Sequence, residues 1–317
     1  MLSETPYFLA IEIGGTKLQL ALSDHQGQWS YKKRLAVGKS HTASDIQKCI
    51  ETILDELPVR PTAVGIGFGG PINRQTGSVM ASHQILGWSN FPLVTWLQTQ
   101  LNVPVALEND ANVAALAEAH LGSGRGHSSV FYVTLGSGVG GGLVKNGQLF
   151  QGELPGECEI GHLHLDRKGN TVESLCSGWA IDQTIKEAIR IYPTSVLGQL
   201  ALHEPGGQYA RLLDPALSKN DSVAYRIFEK LADDLAFGLS HVVNLFHPSA
   251  LVLGGGLSLI GDRLRQAIAQ RLAPYLMPEF RPGPSIQLAS LGEEVVLVGA
   301  FLLARNAHQS THSNINT

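Results

Sequence analysis

Three glycine-rich turns, each directly after an apolar run, are the residues of this sequence best suited to hold phosphate groups. They are Gly14-Gly15-Thr16-Lys17, Gly136-Ser137-Gly138 and Gly254-Gly255-Gly256. Glycine lets the backbone approach a polyphosphate closely and turn its N–H groups toward it. A single glycine pair is more often only a tight turn. Three such turns in one chain predict a bound nucleotide and a phosphoryl-transfer reaction.

The phosphates are expected to meet backbone N–H groups of the first two turns. The hydroxyls of Thr16 and Thr134 are placed to add hydrogen bonds, since each adjoins a turn. Lys17 either approaches the phosphates or is only a surface lysine after the turn. The first two turns are therefore the predicted phosphate site.

Asp110 is the candidate group for taking the proton of the phosphate acceptor. It follows an apolar run that ends at Leu107 and precedes an alanine-rich, helix-favouring stretch from Ala111. Phosphoryl transfer needs positioning, charge neutralisation and a proton acceptor, and a carboxylate within reach of a hydroxyl can supply the last of these. The alternative is that Asp110 caps the helix. Its neighbour Asn109 suits a sugar hydroxyl, or forms a local turn with its own backbone.

A second polar segment pairs a carboxylate with an imidazole. Glu159 and His162 are separated by two residues and flanked by Gly156 and Gly161. Together the two side chains could bind adjacent hydroxyl groups. For a lone pair of this spacing, a solvated surface pair or half of a helical metal site is the simpler interpretation, but the glycines disfavour a helix.

Strand-like and helix-like runs alternate along the chain, which predicts an α/β fold with mixed sheets covered by helices. The predicted strands are 7–13, 18–23, 29–37, 63–68, 103–107, 130–135, 142–145, 250–253 and 285–289. The predicted helices are 43–57, 93–101, 111–121, 180–192, 222–246, 262–276 and 295–307. A strand–glycine turn–strand pattern occurs at 8–23 and again at 130–145, a faint two-fold repeat. Residues 192–217 carry several breakers and no readable pattern.

Composition excludes several classes of protein. The net charge is −4 and no basic run occurs, which argues against a nucleic-acid partner. The cysteines, Cys49, Cys158 and Cys176, form no CxxC pair, which fits a reducing compartment better than a disulfide framework. The sequence shows neither a signal peptide nor an apolar stretch of about 18 residues that would span a membrane. We therefore expect a cytoplasmic protein without a membrane partner.

Five segments, in this order, resemble the ROK family (repressors, open reading frames and kinases) of the sugar kinase, actin and heat-shock ATPase superfamily. The resemblance runs from about Phe8 to Ala304. The segments are Ile11-Glu12-Ile13-Gly14-Gly15-Thr16-Lys17, Gly67-Phe68-Gly69-Gly70-Pro71-Ile72, Glu108-Asn109-Asp110-Ala111-Asn112, Gly156-Glu157-Cys158-Glu159-Ile160-Gly161-His162 and Leu253-Gly254-Gly255-Gly256. The resemblance implies a two-domain actin-like ATPase (ribonuclease H-like) fold with an interdomain cleft.

The resemblance also implies an ATP- and Mg²⁺-dependent sugar kinase with Asp110 as general base. The implied sugar contacts are Gly70, Asn109, Asp110, Glu159, His162 and Glu173. Gly254, Gly255 and Gly256 would lie beside the adenosine. The expected domains are 1–110 with the final helix 295–307 packed back on it, and 111–294, followed by a disordered tail at 308–317. Self-association, such as a dimer, is expected on resemblance only.

Three departures from the family pattern bear on function. Glu12 stands where the family has an aspartate that positions magnesium through water, and Mg²⁺ tolerates altered geometry poorly. The stretch His162 to Glu173 contains no cysteine, so four zinc ligands are lacking and we predict no zinc. Gln84 stands where the family often has asparagine, which would alter the sugar hydroxyls recognised.

The predicted function is ATP-dependent phosphorylation of a hexose or N-acyl hexosamine at a primary hydroxyl, with glucose as the default. The alternative is a sugar-binding sensor with little turnover. Because the first phosphate motif begins at Ile11, we expect no N-terminal helix-turn-helix domain and hence no DNA-binding repressor. Asp110 favours the enzyme, whereas Glu12 is the best argument for the sensor. A polyphosphate-dependent kinase is a remote third option, since no basic cluster flanks the turns.

Overall fold

The structure, a computed structural model, describes residues 5–38, 41–82, 85–154, 156–204 and 206–313. The chain divides into two compact units. Unit 1 comprises Met1–Glu118, Leu149–Glu157 and Glu293–Thr317, and unit 2 comprises Ala119–Gln148 and Cys158–Gly292. This division lies later in the chain than the predicted one at Asp110, and it assigns the segment 149–157 to unit 1.

Strands and helices alternate along most of the chain. The strands are β1 (Phe8–Ile13), β2 (Lys17–Ser23), β3 (Trp29–Ala36), β4 (Ala63–Phe68), β5 (Ile72–Asn73), β6 (Ser78–Val79), β7 (Val105–Asn109), β8 (Ser129–Leu135), β9 (Val139–Lys145), β10 (Gln148–Leu149), β11 (Ala250–Gly254) and β12 (Ser285–Leu288). The α-helices are α1 (Ala43–Asp55), α2 (Leu93–Leu101), α3 (Asp110–Leu121), α4 (Val172–Cys176), α5 (Gly178–Ile191), α6 (Val196–Ala201), α7 (Leu213–Ser218), α8 (Ser222–Phe246), α9 (Asp262–Leu272) and α10 (Val295–Ser313).

The main sheet of unit 1 has the strand order β3-β2-β1-β4-β7. β1 and β2 pair antiparallel, whereas β1 with β4 and β4 with β7 pair parallel. The carboxyl ends of β1, β4 and β7 therefore meet at one edge of the sheet. This edge of the sheet carries the residues that directly follow the three strands, namely Gly14, Gly69 and Asp110.

Every residue of β1 and of β4 is buried. Both faces of this sheet are therefore covered, and helices provide the cover. α1 contributes Ile46, Ile50 and Ile53 to the core of unit 1. α10 packs on β4 and β1, and the approach is so close that a side-chain carbon at Gly65 would overlap the carbonyl oxygen of Ala300. The absence of a side chain at Gly65 is therefore required for the helix to lie on the strand.

The main sheet of unit 2 has the order β10-β9-β8-β11-β12, with β8 antiparallel to β9 and parallel to β11, which is parallel to β12. This order and these directions match those of β3-β2-β1-β4-β7. The repeat suggested by residues 8–23 and 130–145 thus extends through all five strands of each sheet. Each sheet has a glycine-rich turn after its central strand, and in unit 2 a second such turn follows β11.

Several element ends differ from the sequence predictions. β7 continues to Asn109 because Glu108 and Asn109 pair with Gly67 and Phe68 of β4. The final helix continues beyond the predicted end at Ala307, through six residues of the tail that was expected to be disordered, and ends at Ser313. The unreadable stretch 192–217 contains α6 and most of α7. Among the described residues, no helix combines the length and apolar character needed to cross a bilayer.

Candidate active site

The carboxylate of Asp110 lies at the carboxyl edge of the unit 1 sheet, where β7 passes into α3. A side-chain carbon at Gly69 would lie 3.2 Å from Asp110 Oδ2 and 3.4 Å from the Cα of Gly14. Gly69 also donates its N–H to the carbonyl of Ile13, at 2.9 Å. Asp110, half-buried, and the first glycine turn are therefore close neighbours, separated only by a residue without a side chain.

The side chain of Asn109 is engaged with backbone on both sides. Its Oδ1 accepts the N–H of Ala111 at 2.9 Å, and its Nδ2 donates to the carbonyl of Gly70 at 3.2 Å. The bond from Ala111 N–H to Asn109 Oδ1 is the local turn that was the alternative interpretation of Asn109. It lies at the start of α3, where capping of the helix by Asp110 was the alternative to a catalytic role. The bonds also fix Asn109 against the Gly70 turn. Its contact with a sugar hydroxyl stays a prediction.

Glu12 is buried in β1 with only 4% of its surface exposed. Its Oε1 lies 2.9 Å from Nζ of Lys17, and its Oε2 accepts a hydrogen bond from Nε2 of Gln19 at 2.7 Å. Gln19 is the residue directly opposite Glu12 in the β1–β2 pairing. Burial raises the pKa of the Glu12 carboxyl, and Lys17 and Gln19 oppose that rise. Lys17 is therefore a partner of Glu12 as well as a candidate phosphate contact.

The carboxylate of Glu12 is the acidic group that the resemblance assigns to magnesium. Mg²⁺ takes oxygen ligands and keeps several waters. Both oxygens of Glu12 already have protein partners, and the described residues contain no group of three or more His, Cys, Asp or Glu side chains that could hold a metal ion. The donor set fits a magnesium ion only if nucleotide phosphates and water provide most of its ligands.

In unit 2, the second and third glycine turns are neighbours at the carboxyl ends of β8 and β11. Gly255 has a φ of 81°, and a side chain there would collide with the backbone of Leu135, the residue before Gly136. Gly178, at the start of α5, donates its N–H to the carbonyl of Gly136 at 2.7 Å. A helix N-terminus thus adjoins the second turn, an arrangement that favours anions.

The segment with Glu159 and His162 forms a short 3₁₀ turn, Ile160–His162, with both side chains exposed. It is not an α-helix, as the flanking glycines indicated. Gly161 packs on the start of β9, since a side chain there would overlap the carbonyl oxygen of Val139. Its neighbour Glu173 accepts the N–H of Val139 at 2.8 Å through Oε2.

Glu173 therefore links two predicted sites within unit 2. Its carboxylate lies so close to the second glycine turn that a side chain at Gly138 would meet Oε2 at 2.5 Å. The structure thus brings Glu173 together with Gly138 and Gly161. Glu173 lies in the first turn of α4, and its carboxylate is held by the backbone of β9.

A buried cluster in unit 1, which the sequence did not indicate, is formed by Arg74, Glu108, Asn112 and Glu157. Glu108 and Asn112 are each 3% exposed. The cluster joins residues up to 83 positions apart, so no local spacing could have revealed it. Gln84, the third departure from the family pattern, lies outside the described residues.

Comparison with known proteins identifies the family. The model of the ROK family matches residues 8–307. The glucokinase of Streptomyces coelicolor is 31% identical over 313 residues, covering 94% of this chain and 97% of its own. The glucokinase of Thermotoga maritima is 30% identical over 306 residues, covering 92% and 95%. The crystal structure of a ROK family glucokinase from Streptomyces griseus, in complex with glucose and AMPPNP, matches with a TM-score of 0.81, 30% identity and coverage of 95% and 99%.

The chain belongs to the ROK family. The likeness confirms the predicted α/β fold of the actin-like ATPase class and places the chain with the ATP-dependent sugar kinases of that family.

Proposed function

We propose that this protein transfers the terminal phosphoryl group of ATP to the primary hydroxyl of a hexose or an N-acyl hexosamine, with glucose as the first candidate. The observation that carries the proposal is the position of Asp110. Its carboxylate lies against Gly69, beside the first glycine turn, at the carboxyl edge of a parallel strand trio. A carboxylate beside a phosphate-binding turn is suited to accept the proton of an attacking hydroxyl.

The nucleotide is proposed to bind through backbone N–H groups of the glycine turns. The contacts are Gly14, Gly15, Thr16, Lys17, Thr134, Gly136, Ser137, Gly138, Gly254, Gly255 and Gly256. The adjacency of the second and third turns and the start of α5 beside Gly136 support this assignment. Magnesium, brought with the nucleotide, would neutralise phosphate charge, with Glu12, on the strand before the first turn, as the residue proposed to position it through water.

The residues proposed to contact the sugar are Gly70, Asn109, Asp110, Glu159, His162 and Glu173. The side-chain amide of Asn109 donates a hydrogen bond to the carbonyl of Gly70. Glu159 exposes a carboxylate and His162 an imidazole on one short turn. Glucose is the first candidate because the relatives named glucokinase include some of 30% and 31% identity. The three cysteines, none in a disulfide, support a cytoplasmic location.

The test is ADP release from Mg-ATP across a panel of hexoses and hexosamines, with Asp110→Asn beside the wild type. We expect a sugar-dependent rate that falls by about 10²–10⁴-fold in Asp110→Asn, the usual contribution of a general base. Asp55→Asn is the matched control, because Asp55 is exposed on α1. A wild-type rate that does not depend on any sugar contradicts the proposal.

One observation favours the alternative of a sugar-binding sensor with little turnover. Glu12 is engaged by Lys17 and Gln19 instead of facing an open site. A sensor would show no turnover with any sugar, while a sugar still raises the melting temperature. Glu12→Asp, which restores the family's residue, would then be expected to raise the rate.

A further inference from the structure

The buried cluster of Arg74, Glu108, Asn112 and Glu157 has no role in the reaction proposed above. The side chains of Glu108 and Glu157 are each 4% exposed and that of Arg74 is 15% exposed. Two carboxylates and one cation are thus taken out of water. A buried ion pair rarely adds stability over apolar packing, because the loss of hydration offsets the attraction between the charges. The cluster calls for an explanation other than stability alone.

Arg74 and Glu157 hold the segment 149–157. Arg74 Nη1 donates to both carboxylate oxygens of Glu157, at 2.8 and 2.9 Å, and Nη2 donates to the carbonyl of Gly152 at 3.2 Å. Glu157 Oε2 also accepts the N–H of Gly152 at 3.2 Å. Gly152 and Glu157, five positions apart, are therefore held by one guanidinium and one carboxylate.

From Glu157 the hydrogen bonds continue to the backbone next to Asp110. Nδ2 of Asn112 donates to Oε1 of Glu157 at 2.7 Å and to Oε1 of Glu108 at 3.1 Å. The same oxygen of Glu108 accepts the N–H of Asn109 at 2.8 Å. Arg74 is thus connected, through three side chains, to the peptide that precedes the proposed base.

The two ends of this network coincide with two parts of the proposed site. One end is the Asn109 backbone. At the other end, Glu157 directly precedes the residues Cys158 to His162, which include Glu159 and His162.

We propose that Arg74 and Glu157 are positioning residues: their ion pair orders the backbone at Asn109, directly before the proposed base Asp110, and so sets the affinity for the sugar. This inference rests on the proposed function. The pair touches neither phosphate nor sugar in this account; it acts through Asn112, Glu108 and the chain.

Two measurements test it, one of them independent of sugar chemistry. Amide hydrogen exchange in Glu157→Gln is expected to be at least tenfold faster at Asn109 and Gly152 and unchanged in α8. The sugar KM is expected to rise at least fivefold, with the ATP KM changed less than twofold. Glu153→Gln is the matched control, since Glu153 lies in the same segment and is exposed. Arg74→Lys keeps the positive charge but loses the two separate guanidinium donors, Nη1 and Nη2. It is therefore expected to reproduce both effects in a folded protein.

The outcomes separate this inference from the proposed function. Unchanged exchange at Asn109 and Gly152 in both variants overturns the inference, whatever the activity. Faster exchange with an unchanged sugar KM also overturns it. If the wild type shows no sugar-dependent turnover and no sugar-dependent melting shift, the proposed function fails, and the exchange result alone decides whether the pair orders this backbone.

Discussion

Nζ of Lys17 lies 2.9 Å from Oε1 of Glu12, so the lysine of the first glycine turn is the counter-ion of a buried glutamate on the strand before that turn. The turn closes with Gly14 donating its N–H to the carbonyl of Lys17 at 2.9 Å. A nucleotide phosphate at this turn would compete with Glu12 for the same ammonium group. If phosphate binds at this turn as proposed, its binding and the charge at Glu12 would be coupled through the side chain of Lys17.

Lys17→Met is expected to lower the free energy of unfolding at pH 7 by about 1–3 kcal/mol, because a buried carboxylate loses its cation. The loss is expected to be smaller near pH 5, since burial already raises the pKa of Glu12 and the unpaired group will take up a proton more readily. Urea unfolding at the two pH values measures both effects. Lys48→Met, at an exposed lysine of α1, is the control. Equal losses at pH 5 and pH 7 would show that the charge of Glu12 is not the cause.

Gly69→Ala is expected to reduce kcat by about ten- to a hundredfold, because a small misplacement of a catalytic group is costly. The new carbon would lie 3.2 Å from Asp110 Oδ2, which is tight enough to displace the carboxylate. Gly38→Ala is the control, since in the described part of the chain no atom beyond its immediate neighbours lies within 4 Å of a carbon added there. The measurement is kcat beside the melting temperature. A fall in melting temperature with an unchanged kcat would contradict the proposed role of Asp110.

Two changes at Glu173 should separate its backbone hydrogen bond from its proposed contact with the sugar. Glu173→Gln keeps an oxygen that can accept the N–H of Val139, so the ATP KM should stay within twofold while the sugar KM rises. Glu173→Ala removes the acceptor next to the second glycine turn, so both constants should rise. Two-substrate kinetics measures them. If Glu173→Gln leaves the sugar KM unchanged, Glu173 only supports β9.

Glu108 should make the protein less stable as the pH rises above the ordinary glutamate value of 4.5. Burial raises its pKa in the folded state, although the Asn109 N–H, Asn112 and Arg74 oppose the rise. The folded protein therefore holds this proton more strongly than the unfolded chain does. Its contribution is complete below pH 4.5 and is lost as the pH rises through the raised pKa.

Glu108→Gln, which resembles the protonated form, should flatten the dependence of unfolding free energy on pH in that window. Glu153→Gln should leave the dependence as in the wild type. The measurement is urea unfolding at several pH values from 4 upward. An unchanged slope in Glu108→Gln would mean that folding does not raise the pKa of Glu108.

The elements that the sequence predicted well are those whose signals are local. α8 begins and ends at the predicted residues, because an apolar face repeats along Ser222–Phe246 and Asp221 accepts the N–H groups of Val223 and Ala224 at its start. The glycine turns were likewise found from adjacent residues. The ROK family and its α/β fold followed from such segments.

The features that the sequence did not predict depend on contacts between distant residues. α6 lies in the unreadable stretch, and its Leu197 N–H is bonded by the Asp221 carboxylate at 2.7 Å, from 24 positions away. The Arg74–Glu157 pair joins residues 83 positions apart. Even the partners of Glu12 depend on the register of β1 with β2, which the identities of the residues do not specify.

The packing of α10 on β1 and β4 has a consequence for the order in which the protein is made. β4 ends at Phe68, and the helix that covers one face of these strands begins only at Val295, so the strands leave the ribosome more than 220 residues before the helix does. At about 5–20 residues per second, that face of the strands stays without its helix for about 10–45 seconds. Over that interval unit 1 offers an apolar strand surface to chaperones, whereas unit 2 can complete its own sheet before residue 293 is added. A stalled or shortened nascent chain that lacks α10 would therefore keep the apolar strand face of unit 1 exposed, and chaperones would bind it there.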